Sequence, residues 1–272
     1  MIAVTGAAGQ VGGRVARLLA VPHMLLVRDP VKASETDKSV RVAEYADKSG
    51  MTEAIRGADT LFLVSAREDA NRVQAHKSAV DAAVDAGVER IVYISFFGAA
   101  PECTFTFGRD HWHTEQYIRA TGRRFTFLRD NMYLEMIPRL AGADGVIRGP
   151  AGDGRVAAVS YDDIAAAAVA VLTGGAEHDG RTYELTGPEA FTLHEAAAEL
   201  GLRYEPETVE EAYASRAHYG APAFEVAGWV TTYEAIAAGE FARVTGDVER
   251  LTGRKPRSLR ELRGDGGAPV IA

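Results

Sequence analysis

Short apolar segments alternate with longer amphipathic segments along the first half of the chain. The apolar segments are continuous and rich in Val, Ile, Leu and Phe, as are strands buried on both faces of a parallel sheet. They lie at 2–5, 24–27, 40–43, 60–64, 90–95 and 125–129. The intervening segments carry Ala, Leu and Val at helical spacing, and they lie at 11–20, 51–55, 68–86 and 109–121. This order predicts an α/β fold with a Rossmann-type doubly wound parallel sheet.

Beyond residue 130 the pattern is less regular. Residues 131–154 are rich in Gly, Asp and Pro, which is typical of a loop near a site. Strands are predicted at 155–160 and 181–186, and helices at 161–172, 193–200, 206–219 and 222–238, with a final turn at 258–263. Thr192 followed by Glu195 predicts a capping box. We therefore expect a core at 1–130, a mixed region at 131–263 that completes it and forms a small C-terminal substrate-side lobe, and a mobile tail at 264–272.

The charge balance narrows the choice of partners. The net charge is −8, so most of the surface should repel nucleic acid and anionic membranes. The single cysteine, Cys103, cannot form an intrachain disulfide and favours a cytoplasmic location. Neither a targeting segment nor an apolar run of about 18 residues is evident, so we expect no membrane association. The histidines are scattered, and we expect no metal site.

A glycine-rich turn joins the first predicted strand to the first predicted helix. Gly6 permits a tight turn, Gly9 lets a ligand approach the backbone, and Gly12 lets the helix pack closely on the strand. The helix N-terminus then offers free N–H groups and a positive dipole end to phosphates. This arrangement predicts a nicotinamide dinucleotide with its pyrophosphate on the turn. The expected contacts are Thr5, Gly6, Ala8, Gly9, Gln10, Val11 and Gly12.

The end of the second predicted strand bears on the choice of cofactor. An acidic residue there would bind the ribose hydroxyls of NAD, whereas an arginine can receive the 2′-phosphate of NADP. Arg28 occupies this place, with Lys32 as a helper, so we expect NADP, with NAD as the alternative. Asp29 next to it could still serve a ribose.

Two further segments are candidates for cofactor contact. Asp47 follows the third strand, where it could accept a hydrogen bond from the adenine amino group or simply cap a helix. Ser65 and Ala66 end the fourth strand, and their small side chains would let a ribose lie against the backbone.

Four motifs carry a resemblance to a known family: Thr-Gly-Ala-x-Gly-x-x-Gly at 5–12, Val-Arg-Asp-Pro at 27–30, Val-Glu-Arg-Ile-Val-Tyr-Ile-Ser at 88–95 and Phe-Thr-Phe-Leu-Arg-Asp-Asn at 125–131. Over roughly residues 1–200 the chain resembles the NmrA-like group of atypical short-chain dehydrogenases/reductases. That group includes quinone reductases, triphenylmethane-dye reductases and redox-sensing regulators that bind NADP without turnover. The resemblance also implies a homodimer.

The chain departs from the wider superfamily at the catalytic pair. Typical members carry Tyr-x-x-x-Lys on the helix after the fifth strand, whereas His111 stands in the tyrosine-like place here and Glu115 in the lysine-like place. Residues four apart share one helix face, so the carboxylate could raise the imidazole pKa and make a proton donor. The alternative is an ordinary surface pair. His113 lies on another face and is a weaker candidate.

Other candidates follow the fifth and sixth strands. Ser95 ends the fifth strand at the edge where ligands bind and could contact cofactor or a substrate carbonyl. Phe96 could stack on the nicotinamide or pack in the core. The resemblance places Asn131 beside the nicotinamide, and Tyr133 is an alternative proton donor.

These features predict an NAD(P)H-dependent reductase that transfers hydride to a flat apolar small molecule such as a quinone or an aromatic ketone. A quinone needs less help from a strong acid, which fits the absence of Tyr-x-x-x-Lys. The alternatives are an NADP-binding redox-sensing regulator without turnover and a tailoring enzyme of an aromatic polyketide pathway. The absent pair argues against a sugar-nucleotide epimerase.

Overall fold

The structure, a computed structural model, describes residues 1–29 and 40–265. Within these ranges seven strands form one sheet, in the order β3-β2-β1-β4-β5-β6-β9. The strands of this sheet are β1 (Ile2–Val4), β2 (His23–Val27), β3 (Val40–Val42), β4 (Thr60–Leu63), β5 (Arg90–Phe96), β6 (Arg124–Asp130) and β9 (Arg181–Leu185). The remaining strands pair outside it, β7 (Val146–Gly149) with β11 (Arg203–Pro206) and β8 (Arg155–Val156) with β10 (Phe191–Thr192).

Helices occupy most connections between the strands and also follow the last strand, β11. They are α1 (Gln10–Leu18), α2 (Lys48–Ala54), α3 (Arg72–Asp85), α4 (Thr106–Ala120), α5 (Tyr161–Thr173), α6 (Leu193–Leu200), α7 (Val209–Arg216), α8 (Ala223–Ala237), α9 (Asp247–Thr252) and α10 (Leu259–Asp265). In the described ranges, no helix is both long enough and apolar enough to span a membrane.

The strand order places a topological switch point at β1. This strand pairs in parallel with β2 on one side and with β4 on the other, so Ile2 lies opposite both His23 and Thr60. The chain continues from β1 to β2 and β3 on one side and then crosses to β4 on the other side of β1. This reversal opens a crevice beyond the carboxyl ends of the strands. The predicted doubly wound parallel sheet is confirmed.

The central strands are buried along their whole length, which explains their continuous apolar sequences. Every residue of β2 and β4 is buried. The side chains of Leu61, Leu63 and Tyr93 belong to one apolar cluster with Met51 and Phe127. Such burial on both faces leaves the strand ends as the places where polar groups meet solvent.

The chain divides into two compact units. The first comprises Met1–Phe96, Asp110–Arg129 and Tyr161–Tyr183, and the second comprises the remainder. Residues 97–109 therefore lie differently from the predicted core at 1–130, whereas residues 161–183 lie in the region that was expected to complete it. Residues 97–109 belong to the second unit, and residues 161–183 return to the first.

Several elements of the second unit differ from the prediction. Residues 131–154, expected as a loop, contain a 3₁₀ helix (Leu134–Leu140) and β7, and β8 is shorter than predicted. The capping box is confirmed, because the Glu195 N–H donates to Thr192 Oγ1 and the Thr192 N–H donates to Glu195 Oε2. Residues 264 and 265 of the predicted tail belong to α10, and residues 266–272 lie outside the described ranges.

Candidate cofactor site

The glycine turn after β1 leaves no room for side chains. Gly6 has a φ of +60°, a conformation that side chains disfavour. A Cβ on Gly12 would lie 2.4 Å from the Gly6 carbonyl oxygen, and one on Gly9 would lie 3.1 Å from the same atom. The backbone of β1 and the first turn of α1 are therefore in direct contact. The glycine backbone, which carries no side chains at these positions, fits a pyrophosphate as the sequence predicts.

The start of α1 places the positive end of the helix dipole beside the glycine turn. Gly9 is the N-cap and makes no side-chain capping bond, and the first turn carries no acidic residue. The N–H groups of the first turn thus keep their positive character. Gln10, Val11 and Gly12 form this turn, and the Gln10 side chain accepts a hydrogen bond from Arg14. The backbone N–H groups of these three residues are thus available to a bound phosphate.

A cleft of about 750 Å³ lies beyond the carboxyl ends of β1, β2 and β4. Its wall includes seven of the residues predicted to contact the cofactor: Thr5, Gly6, Ala8, Gly9, Arg28, Ser65 and Ala66. Arg28 is exposed there, as a receptor of a 2′-phosphate would have to be. Its predicted helper, Lys32, lies outside the described residues.

A tyrosine that the sequence interpretation missed fixes one side of this cleft. The Tyr45 hydroxyl lies 2.5 Å from Thr5 Oγ1 and 2.7 Å from the Val64 carbonyl oxygen. Thr5 Oγ1 in turn donates to the Phe62 carbonyl and accepts from the Val64 N–H. Burial raises the pKa of Tyr45, so the phenol stays neutral. The carboxyl ends of β1 and β4 are thereby tied together.

Asp47 caps a helix. Its Oδ1 accepts a hydrogen bond from the Gly50 N–H at 3.0 Å, at the start of α2. Asp47 is not among the residues that line the cleft. Of the two interpretations that the sequence left open, the structure supports the cap.

The predicted pair of His111 and Glu115 does not form. His111 is buried, with Nε2 2.9 Å from Arg72 Nη2 and Nδ1 3.0 Å from the Tyr93 hydroxyl. Because a guanidinium can only donate, Nε2 accepts and Nδ1 carries the proton. Desolvation and the Arg72 charge hold the His111 pKa well below its usual range, not above it as expected.

Glu115 is bound instead to an arginine. Its carboxylate is fully buried and accepts from Arg129 Nε at 2.8 Å and Arg129 Nη2 at 2.7 Å, a bidentate ion pair. The Ser95 hydroxyl, also fully buried, donates to Glu115 Oε1 at 2.6 Å. That bond commits the Ser95 proton, so the geometry does not favour the predicted contact with a substrate carbonyl.

The remaining candidates lie in different surroundings. The half-buried Phe96 ring lies 6.0 Å from the His111 ring. Asn131 is fully buried, its amide donating to the Phe241 carbonyl while its Oδ1 accepts from the Met132 N–H. These bonds give Asn131 a framework role in the second unit. Tyr133, also in the second unit, is half-buried and precedes the 3₁₀ helix Leu134–Leu140.

The fold, the bare glycine turn and the adjoining cleft define a Rossmann protein that binds a dinucleotide. A family model described as NAD(P)H-binding matches residues 6–174. The chain belongs to this NAD(P)H-binding family, which confirms the resemblance to the NmrA-like reductases.

Three relatives show how far the likeness extends. Quinone oxidoreductase 2 of Escherichia coli is 38% identical over 211 residues, covering 74% of this chain and 73% of its own. The structure of that enzyme with NADPH matches with a TM-score of 0.88, at 32% identity over 97% of this chain and 99% of the other.

A Streptomyces griseus (4-alkanoyl-5-oxo-2,5-dihydrofuran-3-yl)methyl phosphate reductase is 36% identical over 96% of both chains. The Citrobacter triphenylmethane reductase with NADP(H) gives a TM-score of 0.85, at 31% identity over 97% and 99% of the chains. With these relatives, the family assignment identifies the chain as an NAD(P)H-dependent oxidoreductase.

Proposed function

We propose that this chain is an NADPH-dependent reductase of flat, apolar, electron-poor small molecules such as quinones. The observation that carries the proposal is the cleft in which a side-chain-free glycine turn and the exposed Arg28 lie at the ends of neighbouring strands. A pyrophosphate and a 2′-phosphate are the two groups that such surroundings suit.

Each part of the cleft has a distinct task in this proposal. The backbone of Gly6, Gly9 and the first turn of α1 binds the pyrophosphate, and Arg28 selects NADPH over NADH. Ser65 and Ala66 let a ribose lie against the end of β4. When bound, the nicotinamide supplies the hydride.

The substrate class follows from the relatives and from the polar groups of the first unit. The relatives named above act on quinones, triphenylmethane dyes and a furanone phosphate. The neutral His111 and the ion-paired Glu115 offer no acidic proton, so a substrate whose reduced form is a weak base is favoured. Tyr133 stays the candidate proton donor where one is needed, and a homodimer stays a prediction.

Turnover is the direct test. NADPH oxidation is followed at 340 nm with a panel of benzoquinones and naphthoquinones, a triphenylmethane dye and a simple aliphatic ketone. We expect oxidation with the flat substrates and none with the aliphatic ketone. A chain that binds NADPH but does not oxidise it above background with any compound of the panel would contradict the reductase and favour a redox-sensing regulator.

A further inference from the structure

Both backbone polar groups of one residue at the edge of the cleft, Ala66, are held by side chains. The Ala66 N–H donates to His76 Nε2 at 2.8 Å, and the Ala66 carbonyl accepts from Arg72 Nε at 2.9 Å. Arg72 and His76 lie four residues apart at the start of α3, so they share one face of that helix. We call Ala66, Arg72 and His76 the Ala66 clamp.

The histidine of the clamp is itself fixed in one tautomer. Since Nε2 accepts from a backbone N–H, the proton lies on Nδ1, which is 2.9 Å from Thr114 Oγ1. That hydroxyl donates to the Asp110 carbonyl at 2.8 Å, so it accepts from the histidine. Burial, with a further contribution from the Arg72 charge, lowers the His76 pKa to about 3, and the ring remains an acceptor at neutral pH.

The arginine of the clamp is held from the other side. Its Nη2 donates to His111 Nε2, and His111 Nδ1 is bonded to the Tyr93 hydroxyl. The Asp110 carboxylate lies 3.7 Å from Arg72 Nη1 and offsets the buried charge. His111 and Glu115 stand in the places of the absent Tyr-x-x-x-Lys pair. Each accepts hydrogen bonds from an arginine, His111 from Arg72 and Glu115 from Arg129.

The clamp is located where it can affect the cofactor. Ala66 and Arg72 both line the cleft, and Ala66 follows β4 at the switch point, where the strand ladder has ended. Peptides beyond a strand end commonly bond to water and can rotate. Here two buried side chains fix the two peptides that flank Ala66, one each.

We propose that Arg72 and His76 are positioning residues, which hold the two peptides that flank Ala66 in the orientation that presents an ordered backbone surface to the bound dinucleotide. This inference rests on the proposed function, since it assigns the residues that organise the same cleft. Thr114 and His111 act through the clamp and are not themselves among the residues that line the cleft. Because this backbone is ordered before binding, the cofactor does not have to offset the loss of conformational entropy that ordering it would cost.

The test measures NADPH affinity of the full chain by fluorescence titration, with the melting temperature recorded for each variant. His76→Leu removes both bonds of the ring, whereas His76→Gln keeps an acceptor for the Ala66 N–H and a donor for Thr114. His23→Leu is the matched control, because His23 is a buried histidine of the same unit, bonded to the Val21 carbonyl at the amino end of β2.

We expect His76→Leu to weaken NADPH binding about tenfold, the equivalent of one lost buried hydrogen bond. His76→Gln should stay within about twofold of the parent, and His23→Leu should lower the melting temperature without changing the affinity. If His76→Leu does not fold, Thr114→Val decides the question, since it frees the ring yet adds no bulk, and an unchanged affinity in that variant overturns the clamp.

Three other results separate the possible failures. Parent-like affinity in His76→Leu overturns the clamp and leaves the reductase intact. Equal weakening in His76→Leu and His23→Leu also overturns it, because general loosening would then explain both. A parent chain that binds no NADPH overturns the proposed function, and the clamp with it.

Discussion

Exposed cations at the wall of the cleft are the single residues that we expect to recognise phosphate. Arg28 and Arg67 are both exposed and both line it. A guanidinium presents a planar fork of donors that matches two phosphate oxygens, and it keeps its charge at every accessible pH. Selectivity for a 2′-phosphate should therefore depend on one or two side chains.

Replacing Arg28 tests that selectivity. Arg28→Ala should weaken NADPH binding at least about tenfold, since hydrogen bonds to charged groups contribute about 1.5–3 kcal/mol. NADH lacks the 2′-phosphate, so its affinity should stay within about twofold. Calorimetric titration of both cofactors checks this, with Arg56→Ala as a control at an exposed arginine that pairs with Glu53 outside the cleft wall. Equal loss for both cofactors would remove Arg28 from 2′-phosphate recognition.

Spacing along the chain could place residues on one helix face but could not identify their partners. His111 and Glu115 lie on α4 as expected, yet each is bonded to an arginine distant in sequence, Arg72 at 2.9 Å and Arg129 at 2.7 Å. A buried ionisable group takes the partner that tertiary packing brings, and a four-residue spacing carries no information on it. The glycine turn was predictable because its constraint is local.

The junction between β1 and α1 is the element on which the cofactor site depends. Gly12→Ala places a Cβ 2.4 Å from the Gly6 carbonyl oxygen and 2.6 Å from that of Thr5. These carbonyl oxygens belong to the backbone and cannot rotate away from the new Cβ. The strand and the helix must therefore separate.

We expect Gly12→Ala to abolish detectable NADPH binding and to lower the melting temperature by several degrees, as for a loss of about 1–3 kcal/mol. Gly246→Ala is the control, because a Cβ there has open space around it and its φ is −93°. Titration and thermal unfolding of both variants check the prediction. Normal NADPH binding by Gly12→Ala would show that the turn does not carry the pyrophosphate.

A buried ion pair links α4 to β6. Glu115 is fully buried and Arg129 is 18% exposed at its side chain. Removing only the arginine leaves an uncompensated buried carboxylate, which costs far more than the pair contributes.

Arg129→Met should therefore destabilise the chain by about 3–5 kcal/mol in chemical denaturation. Combining it with Glu115→Gln, which removes the charge but keeps the size, should recover most of that loss. A double variant no more stable than Arg129→Met would show that the lost stability comes from packing and not from the unpaired charge.

The strands of the seven-stranded sheet were predictable from the sequence, whereas the pair β7 and β11 outside it was not. The strands of the seven-stranded sheet follow the continuous apolar segments to within two residues at either end. The pair β7 and β11 was missed, because four-residue strands such as Arg203–Pro206, with only Tyr204 buried, carry too little periodicity. Partners of such short strands are set by tertiary contacts alone.

At the scale of the whole molecule, the buried histidines couple folding to pH. Burial lowers the His76 pKa to about 3 and holds the His111 pKa well below its ordinary value of 6.5. Below about pH 6.5 the unfolded chain binds protons at these positions that the folded chain does not. Their contribution to stability is thus fully present above that pH and is lost as the pH falls.

This linkage predicts how much unfolding free energy the chain loses on acidification and which residue causes the loss. The buried His76 should cost about 1.4 kcal/mol of unfolding free energy between pH 7.5 and 5.5. In His76→Gln the amide does not titrate, so the drop between these pH values should be smaller than in the parent chain by that amount. Urea unfolding at both pH values measures the difference, which is independent of any constant effect of the substitution. If His76→Gln loses as much stability on acidification as the parent, His76 is not held neutral in the folded chain, and the tautomer assigned to the Ala66 clamp is wrong.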